Sequence, residues 1–381
     1  MKIESFFNPT NVQFGAGSIS LIPSIISENN INSVLLVTDK GVRKAGLVDR
    51  IIKQLGSADY DVYDGCQANP TLKNCDEAFE LYKEKDRGLI IALGGGSSLD
   101  VGKAISILAS NGGELVDYEG IDTFKQKPAP LVAIPTTSGT ASEVTRFTVI
   151  TDEERKYKFT VGGSTVAPNW AILDPDLTTS LPAQITAATG FDALVHAIES
   201  YTNNLSNVMT SALAREAIRK ISSSLRQAVY NGENLQVRRD MMMGSLLAGL
   251  AFNNTRLGAC HAMSHPVSAI YGVPHGVANA IIIPHVMRFN SYAVPERFAD
   301  IAEDMGEVLE GKNTMEKAYA AIEAVENLAE DVGIPKDLKE YNINRSSIDR
   351  MAEDAMLSGN IEVNPRATKH SDIVDIFNKI V

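Results

Sequence analysis

The sequence is poor in cysteine, with three residues in 381. Their number is odd and none are spaced as CxxC, which is typical of a reducing compartment rather than a disulfide framework. No apolar run approaches the roughly 20 residues that a membrane-spanning helix needs. The start, MKIESFFNPTNVQF, lacks a continuous apolar stretch after its lysine, so we expect no secretory signal peptide and a cytoplasmic protein.

Basic residues are also scarce relative to acidic ones. There are 35 Lys and Arg against 47 Asp and Glu, giving a formal net charge of −12. The field of such a chain repels nucleic acid and anionic membranes, so we expect a small molecule and neither of these as the partner. Hydrophobic residues make up 44% and charged residues 22%, the balance of an ordinary globular protein, and the length indicates two domains.

Residues 1–180 show the pattern of alternating strands and helices. The predicted strands are SVLLVTD (33–39), GLIIALGGG (88–96), PLVAIPTTSGT (130–140) and AILDPD (171–176). Helical stretches lie between them, at 75–86 and 99–112. Apolar runs without alternation are typical of strands buried on both faces of a parallel sheet, so this half is predicted to be a doubly wound α/β domain.

Residues 181–381 differ from the first half in predicted secondary structure, because the strand patterns stop and helical patterns rich in Ala, Met and Leu follow. The stretch SLPAQ at 180–184 suits a helix start. We therefore predict an all-helical second domain. Its boundary near Leu181 is marked by the change from strand to helix patterns, and no flexible linker is predicted there.

A glycine-rich turn follows the second predicted strand. Its residues are Gly94, Gly95, Gly96, Ser97 and Ser98, and Asp100 falls in the first turn of the next helix. Glycines let a ligand approach the backbone closely, and a helix N-terminus suits a phosphate. The same residues also fit a plain strand-to-helix turn, and the pattern is not the GxGxxG of dinucleotide-binding folds.

Two further polar positions follow predicted strands. Asp39 fits either a ribose contact or a turn-forming aspartate. The stretch IPTTSGTAS offers five hydroxyls in seven residues, at Thr136, Thr137, Ser138, Thr140 and Ser142. They fit either a helix-capping cluster or contacts to a dinucleotide. Loops after parallel strands meet at one edge of a sheet, which favours a single binding crevice there.

Five residues are candidate metal ligands. Asp192 and His196 are four apart in a helical pattern, as are His261 and His265, so each pair shares a helix face. His275 lies 14 residues beyond His261, about 21 Å away on an unbroken helix, so the two can share a metal only if the chain turns at GVP (272–274). A divalent site needs three or four protein ligands, and residue chemistry alone leaves open which histidine is spare.

The whole pattern resembles the iron-dependent, group III NAD-linked alcohol dehydrogenases, whose members include bacterial methanol, 1,3-propanediol and lactaldehyde oxidoreductases. The resemblance rests on GGGSSLDVGKA, IPTTSGTASEVT, ILDPDLTTSLP, ATGFDALVHAIESY, AGLAFNNTRLGACHAMSHPVSAIYGVPHGVANAIIIPHV and NPRATKHSDIVDIF, in the family's order. It implies a Rossmann-like dinucleotide-binding domain at 1–180 and an all-α metal-binding and catalytic domain at 181–381. Val101-Gly102 and Arg146 depart from the common family pattern and bear on substrate preference.

The resemblance also implies roles for individual residues. The metal ligands would be Asp192, His196, His261 and His275, with His265 beside the substrate as a proton relay. The cofactor contacts would be Asp39, Asn69, Gly95, Gly96, Ser97, Asp100, Thr136, Thr137 and Lys158. The glycine-rich turn and the hydroxyl-rich stretch themselves add Ser98, Ser138 and Thr140 as candidate contacts. Asp39 in place of a small residue implies NAD rather than NADP. Phe147 and Phe252 are expected to shape the substrate pocket.

The implied activity is reversible NAD-linked oxidation of a small primary alcohol or diol by a homodimer or larger homo-oligomer. Fe(II) is the expected metal, although three imidazoles and a carboxylate also suit Zn(II) or Ni(II). The alternatives are a zinc-dependent glycerol dehydrogenase and a lyase of the dehydroquinate synthase type. The lyase needs a basic cluster for its anionic substrate, and no such cluster accompanies the metal motifs.

Overall fold

The computed structural model describes residues 3–85, 87–155 and 157–381. The chain forms two compact units: Asn8–Leu181, and Pro182–Val381 together with the described N-terminal residues up to Phe7. Among the residues that the structure describes, no helix has the length and apolar character that a bilayer crossing requires.

The first unit alternates strands with helices. Its strands are β1 Asn11–Phe14, β2 Ser33–Val37, β3 Asp59–Tyr63, β4 Leu89–Gly94, β5 Gly120–Ile121, β6 Leu131–Pro135, β7 Phe147–Asp152, β8 Tyr157–Gly162 and β9 Trp170–Leu173. Its helices are α1 Ile22–Glu28, α2 Lys40–Lys44, α3 Leu47–Ile52, α4 Leu72–Lys83 and α5 Gly96–Asn111.

The main sheet has six parallel strands in the order β1-β9-β6-β4-β2-β3. Every residue of β2, β4 and β6 is buried, because one hydrophobic cluster covers each face of the sheet. These continuous apolar runs are what a doubly covered parallel sheet requires. The strands β6, β4 and β2 are neighbours, so the loops that follow them begin at the same edge.

A second, smaller sheet joins β5, β8 and β7. The strands β7 and β8 form an antiparallel hairpin in which buried residues alternate along β7, as expected for a sheet with one covered face. The hairpin was not among the predicted strands. Lys158 lies on its second strand, β8.

The second unit is helical. Its helices are α6 Ala183–Thr202, α7 Val208–Tyr230, α8 Leu235–Thr255, α9 Ala259–Tyr271, α10 His275–Asn290, α11 Pro295–Asp304, α12 Thr314–Asp331, α13 Ile348–Met356 and α14 His370–Ile380. One large hydrophobic cluster fills the space among them. The predicted fold class, a Rossmann-like α/β domain followed by an all-α domain, is confirmed.

Helix α6 lies in the middle of this helical core and continues through Gly190. A Cβ atom at Gly190 would lie 2.4 Å from Cδ1 of Leu225 and 2.7 Å from Cε of Met241. Only glycine permits this close approach to α7 and α8, so Gly190 allows tight helix packing inside a continuous helix. The packing fixes the half of α6 that carries Asp192 and His196.

Candidate active site

The helical unit brings together polar side chains from three helices. Asp192 and His196 lie one turn apart on α6, and both are buried. His261 lies in the first turn of α9 and is 1% exposed, while His275 is the first residue of α10. Charged or polar groups at such depth require compensating partners, and these residues supply them to one another.

The turn between α9 and α10 makes the meeting possible. Gly272 ends α9 in the left-handed conformation at φ 68°, and Pro274 immediately precedes α10. Glycine tolerates this conformation without a Cβ penalty, and proline suits the start of the next helix. The chain therefore reverses as the sequence predicted, and the rings of His261 and His275 lie 5.4 Å apart.

A single oxygen, Oδ1 of Asp192, is the centre of the cluster. It lies 3.6 Å from Nε2 of His261, 3.8 Å from Nε2 of His275 and 3.9 Å from Nε2 of His196. The donor atoms of Asp192, His261 and His275 all lie within 4.8 Å of one another. Neither His196 nor His265 is part of this group of three donor atoms.

The electrostatics of the cluster favour a cation. Burial raises the pKa of Asp192, but His196, His261 and His275 outweigh it and hold that pKa well below its usual value. Burial lowers the pKa of His261, but hydrogen bonds to Asp192 and Glu199 outweigh it and raise the pKa to about 9. The residues thus stabilise positive charge at their common centre.

The same residues fit a divalent metal. Two ligands about 2.1 Å from a tetrahedral metal lie about 3.4 Å apart. Oδ1 of Asp192 lies 3.6–3.9 Å from Nε2 of each histidine, and the donor atoms of Asp192, His261 and His275 need only modest side-chain movements to share a metal, whereas His196 must move farther. Three imidazole nitrogens and one carboxylate oxygen are acceptable ligands for Fe(II), Zn(II) or Ni(II). Cys260, the neighbour of His261, does not join them, because its thiol donates to the Asn279 carbonyl oxygen at 3.4 Å.

Two residues beside the cluster were not foreseen from the sequence. Glu199 accepts a hydrogen bond from Nδ1 of His261 at 2.6 Å. The amide nitrogen of Asn279 lies 2.7 Å from Oδ1 of Asp192 and 3.1 Å from Nε2 of both His261 and His275. Helical spacing carried a signal for both, since Glu199 follows Asp192 by seven residues and Asn279 follows His275 by four.

His265 and Phe252 lie next to the cluster. The ring of His265 is stacked on that of His275 at 5.4 Å between centroids, and the residue is exposed. Phe252, on α8, is stacked on the ring of His196 at 4.4 Å. His265 thus presents an imidazole to solvent, and Phe252 presents an apolar face beside the candidate ligand His196.

In the α/β unit, the predicted glycine turn joins β4 to α5. Gly94 has φ 152°, and a Cβ atom there would lie 2.6 Å from Oγ of Ser98. A Cβ atom at Gly96 would lie 2.7 Å from Cγ2 of Thr140. The turn is therefore packed closely against the hydroxyl-rich loop after β6. The N-terminus of α5 lies beside this contact, and its backbone N–H groups suit a phosphate.

Asp39 follows β2 at the same edge of the sheet. Its Oδ1 caps α2 by accepting from the backbone N–H of Val42 at 3.0 Å, and its Oδ2 lies 3.5 Å from Oγ of Ser98. The turn-forming role considered from the sequence is therefore real. The cap uses Oδ1 of Asp39, while Oδ2 lies beside the glycine turn.

A buried lysine joins α5 to the hydroxyl-rich loop. Lys103 is fully buried and donates to Oγ of Ser142 at 2.7 Å, Oγ1 of Thr145 at 2.8 Å and the carbonyl oxygen of Phe147 at 2.9 Å. Burial lowers the pKa of Lys103 to about 8. Asp100 accepts from Ser142 and from the backbone N–H of Val149, so its carboxylate holds the loops together from within the unit.

Asn69 and Lys158 meet although they are far apart in sequence. Nζ of Lys158 donates to Oδ1 of Asn69 at 2.8 Å, and Oγ of Ser97 donates to the carbonyl oxygen of Ala68 at 2.7 Å. The loop after β3 is thereby fixed to the glycine turn and to β8. Most of the predicted dinucleotide contacts thus lie on loops that contact one another.

Comparison with known proteins identifies the family. Residues 9–175 match the iron-containing alcohol dehydrogenase family, and residues 186–381 match the C-terminal domain of the Fe-containing alcohol dehydrogenases. The chain belongs to the iron-containing alcohol dehydrogenases. It is an oxidoreductase, as the sequence predicted.

The matches of this alcohol dehydrogenase to its relatives extend over nearly its full length. It is 44% identical over 370 residues to 1,3-propanediol dehydrogenase of Citrobacter freundii, covering 96% of each chain. It is 37% identical over 375 residues to the NAD-dependent methanol dehydrogenase of Bacillus methanolicus, covering 98% of each. Its structure matches a crystal structure of 1,3-propanediol oxidoreductase with a TM-score of 0.97 at 42% identity, covering all of both chains.

These matches confirm the predicted activity of this alcohol dehydrogenase, metal-dependent and NAD-linked oxidation of a small alcohol. The lyase and glycerol dehydrogenase alternatives are not favoured. The roles assigned to individual residues, from the metal ligands to the pocket residues, remain predictions.

Proposed function

We propose that Asp192, His196, His261 and His275 hold a divalent iron in this alcohol dehydrogenase. The observation that carries the proposal is the convergence of three imidazole nitrogens on one carboxylate oxygen at 3.6–3.9 Å. When bound, the metal supplies Lewis acidity, which favours the alkoxide form of an alcohol substrate. Zn(II) and Ni(II) suit the same ligands.

The proposed oxidant is NAD, held by the residues at the carboxyl edge of the main sheet. NAD supplies the nicotinamide that accepts a hydride from the alcohol carbon. The glycine turn and the N-terminus of α5 would hold the pyrophosphate. The remaining proposed contacts come from the loops around that turn: Asp39, Asn69, Ser97, Ser98, Asp100, Thr136, Thr137, Ser138, Thr140 and Lys158. Asp39 would select NAD over NADP, because its carboxylate repels a 2′-phosphate.

The proposed proton relay is His265. The alcohol must lose a proton as well as a hydride, and an exposed imidazole stacked on His275 can pass that proton to solvent. Phe252 and Phe147 would limit the size of the substrate, Phe252 through its position against His196.

The proposed substrates are small primary alcohols and terminal diols. The 44% identity to 1,3-propanediol dehydrogenase supports a short diol. The proposed setting is a cytoplasmic homodimer or larger homo-oligomer. Its support is the cysteine-poor, acidic composition for the compartment and the usual assembly of the family for the oligomer.

The test replaces one ligand and measures three properties. His261→Ala is expected to lose bound metal in elemental analysis after anaerobic purification, and to lose NADH formation with 1,3-propanediol and other short alcohols. Titration with NADH, followed through the fluorescence of the single tryptophan, should still show binding. His370→Ala, outside the cluster at the start of α14, should match the wild type. A fully active, metal-containing His261→Ala enzyme would mean that the ligand assignment is wrong.

A further inference from the structure

Glu199 is a buried carboxylate that reaches from one helix to the start of another. It lies on α6, three residues after His196, and is 3% exposed. Its Oε1 accepts from the backbone N–H of Cys260 at 2.7 Å, and its Oε2 accepts from Nδ1 of His261 at 2.6 Å. The backbone N–H of His261 lies 3.4 Å from Oε2. The carboxylate therefore contacts both the backbone and the ring of α9's first turn.

Within the part of the chain that the structure describes, Glu199 is buried without a lysine or arginine partner. Among the described residues, the one ion pair of Glu199 is with His261, and no lysine or arginine takes part. The N-terminus of α9 presents free N–H groups and the positive end of the helix dipole. Gly258 caps that helix, and a Cβ atom there would lie 2.8 Å from Oε1 of Glu199. The carboxylate thus fits tightly against the helix end.

The contact with the ring determines which nitrogen of His261 carries a proton. An ionised carboxylate only accepts hydrogen bonds, so Nδ1 of His261 must be the donor. In the neutral ring, Nε2 is then left with a lone pair, and Nε2 is the atom that faces Oδ1 of Asp192 at 3.6 Å. A histidine ligand whose second nitrogen donates to a carboxylate is held in the orientation and tautomer that metal binding requires.

We propose that Glu199 is a positioning residue that sets the tautomer and orientation of His261 for the metal. This inference rests on the proposed function, because it takes His261 as a ligand. A residue that only capped α9 would affect the stability of the helix and leave metal affinity unchanged. A residue that sets the tautomer affects metal affinity more than stability.

Glu199→Gln separates the two roles. Glutamine keeps the shape and an oxygen for the Cys260 N–H, so the cap survives. Its NH2 group would then face Nδ1 and must donate to it, which moves the ring proton to Nε2 and removes the lone pair from the metal side. We expect metal affinity to fall by about 10–100-fold and the melting temperature of the chelator-treated protein to change little.

The experiment dialyses metal-loaded enzyme against a graded series of chelator concentrations and measures retained iron or zinc by elemental analysis. Asn364→Ala is the matched control, because Asn364 accepts from the neighbouring Ala259 N–H at 3.2 Å, and its side chain otherwise bonds to Asn290, Arg366 and Thr368 rather than to the His261 ring. It should lower the melting temperature and leave metal retention unchanged. Glu199→Asp keeps a carboxylate and should retain metal better than Glu199→Gln.

Three outcomes would overturn the proposal: wild-type metal retention in Glu199→Gln, equal losses of metal in Glu199→Gln and Asn364→Ala, or weaker retention in Glu199→Asp than in Glu199→Gln. The parent assignment is tested separately. If His261→Ala keeps its metal, the proposed function fails. If His261→Ala loses the metal and Glu199→Gln does not, only the role of Glu199 fails.

Discussion

The side-chain amide of Asn279 donates to Oδ1 of Asp192 at 2.7 Å, the same oxygen that faces three imidazoles. Asn279 is completely buried on α10, and its amide nitrogen also lies 3.1 Å from Nε2 of His261 and of His275. One amide thus contacts three of the four proposed ligands. Its two hydrogens cannot serve three acceptors equally, so the amide holds the carboxylate in place rather than saturating the group.

We expect Asn279→Ala to weaken metal retention by about 10-fold, the lower end of the range for residues that orient ligands. Removing the donor also leaves a buried acceptor unsatisfied, at a cost of about 1–3 kcal/mol in the free energy of unfolding. Chelator competition and urea denaturation measure the two effects. Asn290→Ala is the control, since Asn290 is a buried asparagine of α10 that bonds to Asn364 instead. Equal metal retention in both variants would remove Asn279 from the metal centre.

Asp39→Gly should relax the preference for NAD over NADP. The variant removes a negative charge beside the glycine turn, so the 2′-phosphate of NADP is no longer repelled. It also removes the side-chain cap of α2, a loss of a few tenths of a kcal/mol when glycine is the replacement. The measurement is the ratio of kcat/KM for the two cofactors, which should fall by at least 10-fold. Asp64→Asn, an acid that pairs with Arg43 nearby, should leave the ratio unchanged. An unchanged ratio in Asp39→Gly would remove its role in selection.

Glu143 is predicted to make the unfolding free energy depend on pH. It is 3% exposed, and burial raises its pKa from 4.5 to about 7, with Lys103 opposing the shift. The folded protein therefore binds more protons than the unfolded chain between these values. This contribution to stability is fully present below pH 4.5 and is lost as pH rises toward 7, with a slope of at most about 1.4 kcal/mol per pH unit.

Chemical denaturation from pH 5 to 7.5 tests this prediction through the difference between the wild type and Glu143→Gln. Glutamine cannot ionise, so that variant should lose stability less steeply across the window. Glu153→Gln, at an exposed position just after β7, is the control and should keep the wild-type slope. Parallel curves for the wild type and Glu143→Gln would show that Glu143 does not titrate in this range.

The strands that the sequence revealed are those with a continuous apolar run. The strands β2, β4, β6 and β9 correspond to the four predicted runs, because both faces of the main sheet are covered. The strand β3, DYDVY, lies at the sheet edge and is partly exposed. It therefore carries two aspartates and lacks the continuous apolar run that distinguishes the central strands from loops. The hairpin of β7 and β8 carries an alternating pattern instead, because one of its faces is covered, so it has no continuous apolar run.

The candidate site was predictable to the extent that helical spacing and turn residues determine distances. The pairing of Asp192 with His196 and the reversal at Gly272 follow from local rules. Helical spacing places Glu199 on the face of Asp192 and Asn279 on the face of His275, but a glutamate or an asparagine on a helix has many ordinary uses, so the spacing did not single them out. The packing of α6, α9 and α10 shows that both side chains point at the ligands.

The three helices that supply the proposed ligands span a long stretch of chain, from Asp192 on α6 to His275 on α10. A metal bound there would join parts of the helical unit that an unfolded chain leaves apart. The unit's stability would then follow the free metal concentration: each tenfold increase well above the dissociation constant adds about 1.4 kcal/mol. In a cell short of iron, the enzyme would lose resistance to unfolding and proteolysis together with its activity.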